Sequence, residues 1–238
     1  MACRPIGEPV LLPESAHPSP TTLHGRTVTL VPLTAKHAAE FYPLVNNDHP
    51  DQTAIWDYIP DGPYTELADL TRDFEAMSTS TNPLFFAIID ARSTAPTAGK
   101  MLGYMALMSI VPEHRRLEIG HVIFSRLLQR TTGATEAIFL LIKHSIEDLG
   151  YRRIEWKCNA HNEGSRRAAL RIGFTPEGVH RQHMVVKGRN RDTAWFSILK
   201  EEWEGGLKSA MEKWLQEGNF DKDGRQIRSL EEVRRDSC

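Results

Sequence analysis

Cysteine is scarce in this sequence, and no spacing brings the cysteines together. The 238 residues include three, Cys3, Cys158 and Cys238, and no C-x-x-C pair. Disulfide-stapled domains and structural zinc sites use several cysteines at close spacing. We therefore expect a reduced, cytoplasmic protein that has neither a disulfide framework nor a metal site.

The charge balance does not indicate a nucleic-acid partner, and the hydrophobic runs do not indicate a membrane. Lys and Arg number 29 against 31 Asp and Glu, a formal net charge of −2, whereas nucleic-acid binders usually carry a clear basic excess. Residues 138–142 form an apolar run far too short to span a bilayer. Residues 1–25 contain five prolines and no apolar segment of the secretory type. We expect a soluble protein without nucleic-acid or membrane partners.

Composition divides the chain into three segments. Residues 1–24 are rich in Pro, Ser and Thr and lack hydrophobic periodicity, which predicts a flexible N-terminal arm. Residues 25–203 carry regular hydrophobic patterns, and their length suits one domain with a substantial core. Residues 204–238 are charged and weakly amphipathic, so we expect a charged C-terminal helix followed by a polar tail from residue 216.

Hydrophobic periodicity predicts the element order βα α βββ α β α ββ. The predicted strands lie at 27–31, 84–90, 100–110, 117–124, 153–159, 180–187 and 192–199, and the predicted helices at 35–45, 65–77, 132–149 and 162–172. Antiparallel strands in mid-chain followed by strand–helix crossovers imply an α/β fold with a mixed sheet.

A loop of small and polar residues leads into the predicted helix at Thr132. The first turn of a helix has unsatisfied backbone N–H groups and a partial positive charge, so it can bind a pyrophosphate. The candidate phosphate-binding residues are Gln129, Arg130, Thr131, Thr132, Gly133 and Ala134. The sequence has neither the G-K-[ST] of a nucleoside-triphosphate loop nor a G-x-G-x-x-G. Taken alone, these residues fit an ordinary Thr-rich helix start equally well.

Several short segments between Gly25 and Trp203 occur in the order and at the spacing that one known protein family shows. They are 25–33, 117–122, 134–137, 149–154, 162–169, 171–174 and 177–178. This set resembles the GNAT acetyltransferase superfamily, in particular its ribosomal-protein N-acetyltransferase-like (RimJ/RimL-type) branch. The resemblance implies the acyl-CoA N-acyltransferase fold, a mostly antiparallel sheet that splays at the cofactor site and is flanked by helices, with acetyl-CoA as the cofactor.

The phosphate loop departs from the family pattern at one position. The pattern is usually Q/R-x-x-G-x-G/A, and Gln129 and Ala134 fit its ends. Thr132 occupies the usual glycine position, with Gly133 beside it. Because a threonine still offers its backbone N–H, we expect an altered loop geometry rather than lost binding.

The resemblance also assigns residues to the rest of the coenzyme. It implies that pantetheine pairs along Val122, Ile123 and Phe124, with the amide of Val122 or Ile123 stabilising charge on the thioester oxygen. It implies further that Asn162 contacts pantetheine and that Ser165 reaches the coenzyme sulfur. From the residues alone, Asn162 and Ser165 equally fit the N-cap and first turn of a helix.

Two residues of one strand are candidate bases for the acceptor amine. Glu118 is the first candidate and His121 the second. They lie three residues apart, so a regular strand places them on opposite faces, which a bulge would change. The alternatives are a structural Glu118 held by Arg115 or Arg116 and a packed or solvent-facing His121. Cys158 lies on the apolar face of its strand, which favours direct transfer without an acyl-enzyme.

Residues near the acceptor side have weaker signals. Trp56, Tyr58 and Tyr64 fit either the wall of a substrate pocket or loop packing. Four basic residues lie around the final hairpin: His180, Arg181, His183 and Arg189. They fit a basic rim that favours an acidic peptide or a carboxylate-bearing amine as acceptor, and they fit solvated surface charges equally well.

The sequence thus predicts an acetyl-CoA-dependent N-acetyltransferase that acts on a primary amine, either a protein N-terminus or a small amine. One alternative is a coenzyme-A-binding module that has lost catalysis. Another is an interaction domain in which residues 203–215 mediate a homodimer.

Overall fold

The computed structural model describes residues 7–46, 50–222 and 224–236. Cys3 and Cys238 lie outside these residues. One eight-stranded sheet runs through the molecule in the order β1-β2-β3-β4-β5-β6-β8-β7. The strands are β1 Leu23–His24, β2 Val28–Pro32, β3 Leu84–Asp90, β4 Met101–Val111, β5 Arg116–Phe124, β6 Arg153–Asn159, β7 Thr175–Val186 and β8 Arg189–Leu199. Only β5 and β6 pair in parallel within this sheet of described residues, which confirms the predicted mixed, mostly antiparallel α/β fold.

Helices cover both faces of the sheet. They are α1 His37–Val45, α2 Pro50–Thr53, α3 Leu67–Thr79, α4 Thr132–Lys143, α5 Glu163–Ile172, α6 Lys200–Glu202, α7 Lys208–Leu215 and α8 Leu230–Arg235. A π-helical turn, His144–Asp148, continues α4, and another, Trp203–Leu207, joins α6 to α7. None of the helices among the described residues is long and apolar enough to cross a membrane.

The two faces of the sheet carry separate hydrophobic clusters. Alternate residues of β3 enter each of them, because successive strand side chains point to opposite faces. Phe86 and Ile88 join the cluster under α4 and the C-terminal helices. Phe85 and Ala87 join the cluster under α1 and α3. We call these the α4 cluster and the α1 cluster.

The C-terminal segment belongs to the α4 cluster. Trp203, Met211 and Trp214 are buried there, and the ring of Trp203 lies 5.7 Å from that of Phe139. Leu230, in the segment expected to be a polar tail, is fully buried. The tail prediction failed because widely spaced apolar residues among charges gave little periodicity. The apolar face proposed as a dimer interface is therefore covered by the chain itself.

The described part of the N-terminal arm lies against the connection between α4 and β6. The hydroxyl of Ser15 donates to the carbonyl of Gly150 (2.9 Å), and the amide of Ala16 donates to the carbonyl of Leu149 (2.9 Å). The Arg115 guanidinium donates to the carbonyl of Pro13 at 2.6 Å. These contacts involve backbone groups, which carry no compositional signal and so could not be foreseen from the sequence.

A buried carboxylate in the first turns of α4 anchors that helix to β2. Glu136 accepts the backbone N–H groups of Arg26 (2.7 Å), Thr27 (2.6 Å) and Val28 (3.2 Å), and also the hydroxyl of Thr27. A carboxylate that accepts this many donors is well compensated for its burial. The N-terminus of α4 is therefore held in place by a strand three positions away from β5 in the sheet.

Two glycines make this contact sterically feasible. A Cβ on Gly25 would lie 2.7 Å from the carboxyl carbon of Glu136, and one on Gly133 would lie 2.9 Å from the Cγ1 of Val28. Gly133 is thus required for packing of α4 against β2. The absence of a side chain at Gly133 thus allows α4 to pack on the sheet, and it also leaves the backbone accessible to an anion.

Replacing Glu136 by glutamine should destabilise the fold. Its NH₂ group would face a backbone donor whichever way the amide turns, so the Glu136→Gln protein should lose roughly 2–4 kcal/mol of unfolding free energy. Urea denaturation measures this loss. Glu75→Gln, an exposed position on α3, is the matched control and should change stability by less than about 0.5 kcal/mol. Equal effects at the two positions would contradict the anchoring role.

Candidate active site

Strands β5 and β6 separate after three paired residues. Arg116, Leu117 and Glu118 pair with Arg153, Ile154 and Glu155, and the ladder then stops. β5 nevertheless continues to Phe124 along β4, and β6 continues to Asn159 along β8. The two strands therefore diverge into a wedge whose inner edges carry backbone groups without strand partners. This is the splayed sheet that the family resemblance implies.

A bulge interrupts β5 beside this wedge. Gly120 pairs with Ala106 and Ile123 with Tyr104, so two residues of β5, His121 and Val122, face a single residue of β4. His121 has φ +47°, a left-handed conformation that is uncommon outside glycine and typical of the first residue of one bulge type. The bulge releases the backbone of this segment from the regular ladder.

The bulge turns His121 onto the same face of the sheet as Glu118. Its ring lies 5.2 Å from that of Phe85, a member of the α1 cluster. Its Nδ1 lies 3.4 Å from the Oδ2 of Asp61, in the loop that follows α2. Both atoms are buried and make no hydrogen bond within the ordinary geometric limits, so the carboxylate contacts the imidazole at the long end of the range. Nothing in the sequence pointed to Asp61.

Glu118 is buried in an ionic cluster. Its Oε2 accepts from the hydroxyl of Ser109 (3.0 Å) and lies 3.0 Å from the Nζ of Lys157. The same ammonium lies 2.9 Å from Glu155 and 4.0 Å from the ring centroid of Trp195. The ammonium of Lys157 and the guanidinium of Arg153 hold the pKa of Glu155 below its ordinary value, although burial alone would raise it.

The arginines expected to hold Glu118 have other partners. Arg115 bonds the carbonyl of Pro13, and Arg116 lies 3.8 Å from Glu155. The expected partners were therefore wrong, because Arg115 contacts the N-terminal arm and Arg116 is nearer to Glu155. Lys157 takes their place. Its signal was present in the alternation of β6, which puts Glu155 and Lys157 on one polar face.

The start of α4 has free backbone donors. A helix leaves its first four N–H groups without intrahelical partners. The amide of Thr131 donates to Leu128 (3.3 Å), and that of Ala134 donates to the Thr131 hydroxyl (3.3 Å). Within the described loop, the amides of Thr132 and Gly133 have no such acceptor, so they remain to bind an anion. Ala134, in contrast, is already capped.

The side chains of the loop are partly committed. The amide group of Gln129 donates to the carbonyl of Phe124 at 2.9 Å, which closes the loop on itself. Arg130 has φ +61° and an exposed side chain, so the left-handed turn lies at Arg130 and not at a glycine. The expected change in loop geometry at Thr132 thus coincides with a strained turn two residues earlier.

Asn162 and Ser165 begin α5 at the far side of the wedge. The Asn162 side chain accepts from the amide of Ser165 (3.0 Å), which is the N-cap expected from the sequence. The Ser165 hydroxyl accepts from the indole N–H of Trp156 (2.9 Å). Because the indole is a donor only, Ser165 keeps its hydroxyl proton to donate, and the thiol of Cys158 is one acceptor within its reach.

The aromatic residues expected on the acceptor side divide into two groups. Trp56 and Tyr64 are buried in the α1 cluster, where the indole donates to the carbonyl of Val45 (3.2 Å) and the phenol to Asp73 (2.6 Å). Packing, the alternative left open by the sequence, describes Tyr64, whereas Trp56 both packs in this cluster and lines a cavity beside the hairpin. Tyr58 is half-buried and lines a cavity beside the hairpin.

The histidines of the final hairpin pack on an aromatic ring. His180 and Trp195 have ring centroids 4.5 Å apart, and His183 stands edge-on to His180 at 5.4 Å. Trp195 therefore has Lys157 and His180 as neighbours. The hairpin tip also contributes Lys187, which the sequence reading missed because a single lysine at a turn has no distinctive spacing.

Comparison with known proteins agrees with this geometry. Residues 27–175 match the family described as Acetyltransferase (GNAT) domain, more than half of the chain. The chain belongs to the GNAT acetyltransferase family. The RimJ/RimL-like branch suggested by the motifs is consistent with the relatives found, and acetyl-CoA is the cofactor that this family indicates.

Solved structures resemble this GNAT chain over nearly its whole length. A GCN5-related N-acetyltransferase from Brucella melitensis is 42% identical, with a TM-score of 0.89 over 94% of this chain and 99% of that one. A GNAT-family protein from Chromobacterium violaceum ATCC 12472 is 35% identical, with a TM-score of 0.73 over 85% and 100%. YdaF of Bacillus subtilis (strain 168), named as a ribosomal N-acetyltransferase, is 34% identical over 107 residues, 45% of this chain. The chain spans little more than half the length of the curated relatives it matches, 58% of YdaF.

Cys158 of this GNAT domain should be unreactive while the protein is folded. Burial raises the pKa of its thiol, an effect that the Ser165 hydrogen bond only partly opposes. Since the folded pKa lies above the ordinary value, less thiolate forms at pH 8 than in the unfolded chain. In a Cys3→Ser, Cys238→Ser background, iodoacetamide labelling followed by mass spectrometry should be at least about tenfold slower in buffer than in urea. Equal rates would contradict a packed, unactivated Cys158.

Proposed function

We propose that this protein transfers an acetyl group from acetyl-CoA directly to the nitrogen of a primary amine. The observation that carries the proposal is the wedge between β5 and β6, which leads from the bulge at His121 to the free amides of Thr132 and Gly133. A wedge of unpaired strand edges suits an extended amide chain, and a helix N-terminus suits a pyrophosphate.

The coenzyme would be held mainly by backbone groups. The amides of Thr132 and Gly133 would bind the pyrophosphate, with Thr131, Arg130 and the carbonyl-bound Gln129 shaping the loop around it. The edge of β5 at Val122, Ile123 and Phe124 would pair with pantetheine, as Asn162 would from the opposite side. Backbone recognition explains how Thr132 can replace the usual glycine, since its amide is still present.

When bound, acetyl-CoA supplies the acetyl group as an activated thioester. The amide of Val122, which lies in the bulge, or that of Ile123, which follows it, would donate to the carbonyl oxygen as negative charge develops there. Ser165 would turn its hydroxyl proton from the thiol of Cys158 to the departing sulfur, while its oxygen continues to accept from Trp156. Its hydroxyl is a weak acid, so we assign it the role of donor.

We assign the general base to His121 rather than to Glu118. The carboxylate of Glu118 is engaged by Lys157 and Ser109, and withdrawing it to accept a proton would break a buried ion pair. His121 presents Nδ1 to Asp61, which favours the tautomer whose Nε2 is unprotonated and able to accept a proton. Glu118 would then act on the electrostatics of the acceptor side through Lys157.

The acceptor is a protein N-terminus or a small amine. The name of YdaF favours a ribosomal protein, and the limited volume of the cavity beside Tyr58, about 460 Å³, favours a smaller molecule. Direct transfer is supported by Cys158, whose thiol is buried and has a raised pKa, which makes it a poor nucleophile.

Calorimetry and a thiol-release assay test the proposal together. Acetyl-CoA should bind with 1:1 stoichiometry, and free thiol should then appear when a panel of small amines and N-terminal peptides is supplied. Coenzyme binding without turnover of any amine would favour a catalytically silent coenzyme-A-binding module instead. If acetyl-CoA does not bind, both the acetyltransferase and the coenzyme-A-binding module are excluded.

Substituting the two candidate bases distinguishes their roles. His121→Asn keeps a residue that tolerates the left-handed conformation and should lower kcat by about 10²- to 10⁴-fold, because general-base catalysis is lost. The affinity for acetyl-CoA, measured by calorimetry, should change little.

Glu118→Gln is the matched comparison. It should leave kcat within about tenfold of the parent while lowering stability, since Lys157 loses one of its two carboxylate partners. If Glu118→Gln removes turnover and His121→Asn does not, Glu118 is the base.

A further inference from the structure

A cavity of about 460 Å³ lies beside the tip of the β7–β8 hairpin, and its lining includes Trp56, Tyr58 and Lys187. It lies between the loop that follows α2, the residues that follow β6 and the tip of the β7–β8 hairpin. At the tip, the Nζ of Lys187 donates to the backbone carbonyls of Trp56 and Asp61, both at 2.9 Å. The side chain of Asp61 faces His121, so the lining residue Lys187 is linked to the proposed base through one residue.

The lining of this cavity is basic. Four lining residues carry or can carry positive charge, namely His161, Lys187, Arg189 and Arg191. The carboxylate of Asp57, which is exposed, is the only one among the described lining residues. Tyr58, Asn159 and Asn190 add neutral polar groups. A concave surface with one sign of charge concentrates ligands of the opposite sign.

The carboxylate next to these arginines in sequence is committed elsewhere. Asp192 accepts the backbone N–H of Gln182 (2.7 Å) and the side-chain amide of Asn190 (2.9 Å). Among the residues that the structure describes, no carboxylate forms an ion pair with Arg189 or Arg191. Among the described residues, Arg189 and Arg191 therefore have no carboxylate partner, although Asp57 lines the cavity and the charge of Asp192 acts on His161.

One of the arginines has a buried donor without an acceptor. The Nε of Arg191 is inaccessible to solvent and makes no hydrogen bond. Buried polar groups in folded proteins are nearly always paired, and an unpaired N–H costs free energy until an acceptor arrives. The guanidinium fork matches the two oxygens of a carboxylate or phosphate.

We propose that this cavity binds an anionic oxygen group of the acceptor, a carboxylate or a phosphate, so that the preferred acceptor is a primary amine that also carries a negative charge. The inference rests on the proposed acetyl transfer. Arg191 and Arg189 hold the anionic group, Lys187 fixes the loop that carries Asp61, and the amine extends toward His121. A volume of this size suits a small molecule or the first residues of a peptide.

This anion site is distinct from the one that would hold the coenzyme. The cavity lining contains no residue of the 129–134 loop, whose amides of Thr132 and Gly133 form the pyrophosphate site. Arg191 should therefore affect the acceptor without affecting the coenzyme.

Matched pairs of amines that differ only in charge test the proposal. The thiol-release assay compares phosphoethanolamine with ethanolamine, β-alanine with its amide, and a peptide beginning Ala-Asp with one beginning Ala-Asn. The anionic member should have a kcat/KM about 10- to 100-fold higher, the value of one charged hydrogen-bonded pair. The pair that shows the larger ratio identifies the source of the anion as phosphate, carboxylate or acidic peptide.

Arg191→Gln should reduce this ratio to about one, whereas Arg72→Gln, an exposed position on α3, should leave it unchanged. Arg189→Gln serves in its place if Arg191→Gln does not fold. Equal turnover of charged and neutral amines, or a ratio unchanged in both cavity variants, would overturn the proposal. So would a matching loss of acetyl-CoA affinity, which would assign the arginines to a coenzyme phosphate.

An equilibrium measurement separates failure of this inference from failure of acetyl transfer. Calorimetric titration with inorganic phosphate and with succinate is done in saturating coenzyme A, which fills the pyrophosphate site. Binding that is lost in Arg191→Gln supports the anion site even if no amine is acetylated. Turnover of neutral amines without Arg191-dependent anion binding would leave the transferase standing and remove the anion site.

Discussion

The contact on which the site depends is the buried carboxylate of Glu136. It accepts three consecutive amides, those of Arg26, Thr27 and Val28, at the start of β2 and so fixes the first turns of α4 to a strand that is not its neighbour in sequence. A helix N-terminus can serve as an anion site only if its amides hold a constant position relative to the reacting groups. Glu136 provides that position, and Gly25 and Gly133 provide the space for it.

The chemistry then arises where the sheet is irregular. A regular β5–β6 ladder would satisfy its own backbone groups and leave no donors for a ligand. The divergence after Glu118 frees those groups, and the bulge at His121 brings an imidazole onto the face where Asp61 and Glu118 lie. In the proposed mechanism, much of the binding and catalysis thus depends on backbone N–H groups that have no partner within the sheet or helix, and few side chains are needed in addition.

The order of the main strands and helices, the mixed sheet and the start of α5 could be predicted from the sequence, because periodicity and helix caps are local signals. Asn162 capping Ser165 is one such case. The pairing of His121 with Asp61 and of Glu118 with Lys157 could not be predicted, since each joins residues whose approach depends on a bulge or on tertiary packing. Trp56 and Tyr64 show the converse: aromatic residues in a loop give no sign of whether they line a pocket or fill a core.

The two hydrophobic clusters on opposite faces of the sheet have a consequence for how such a protein diversifies. Trp56, which lines the proposed acceptor cavity, packs in the α1 cluster, whereas α4, whose first amides are proposed to bind the coenzyme, packs in the α4 cluster. Mutations in clusters that share few direct contacts combine nearly additively. New acceptors can therefore be acquired by exchanging side chains and loops on one face, while the machinery for the common donor is inherited intact on the other.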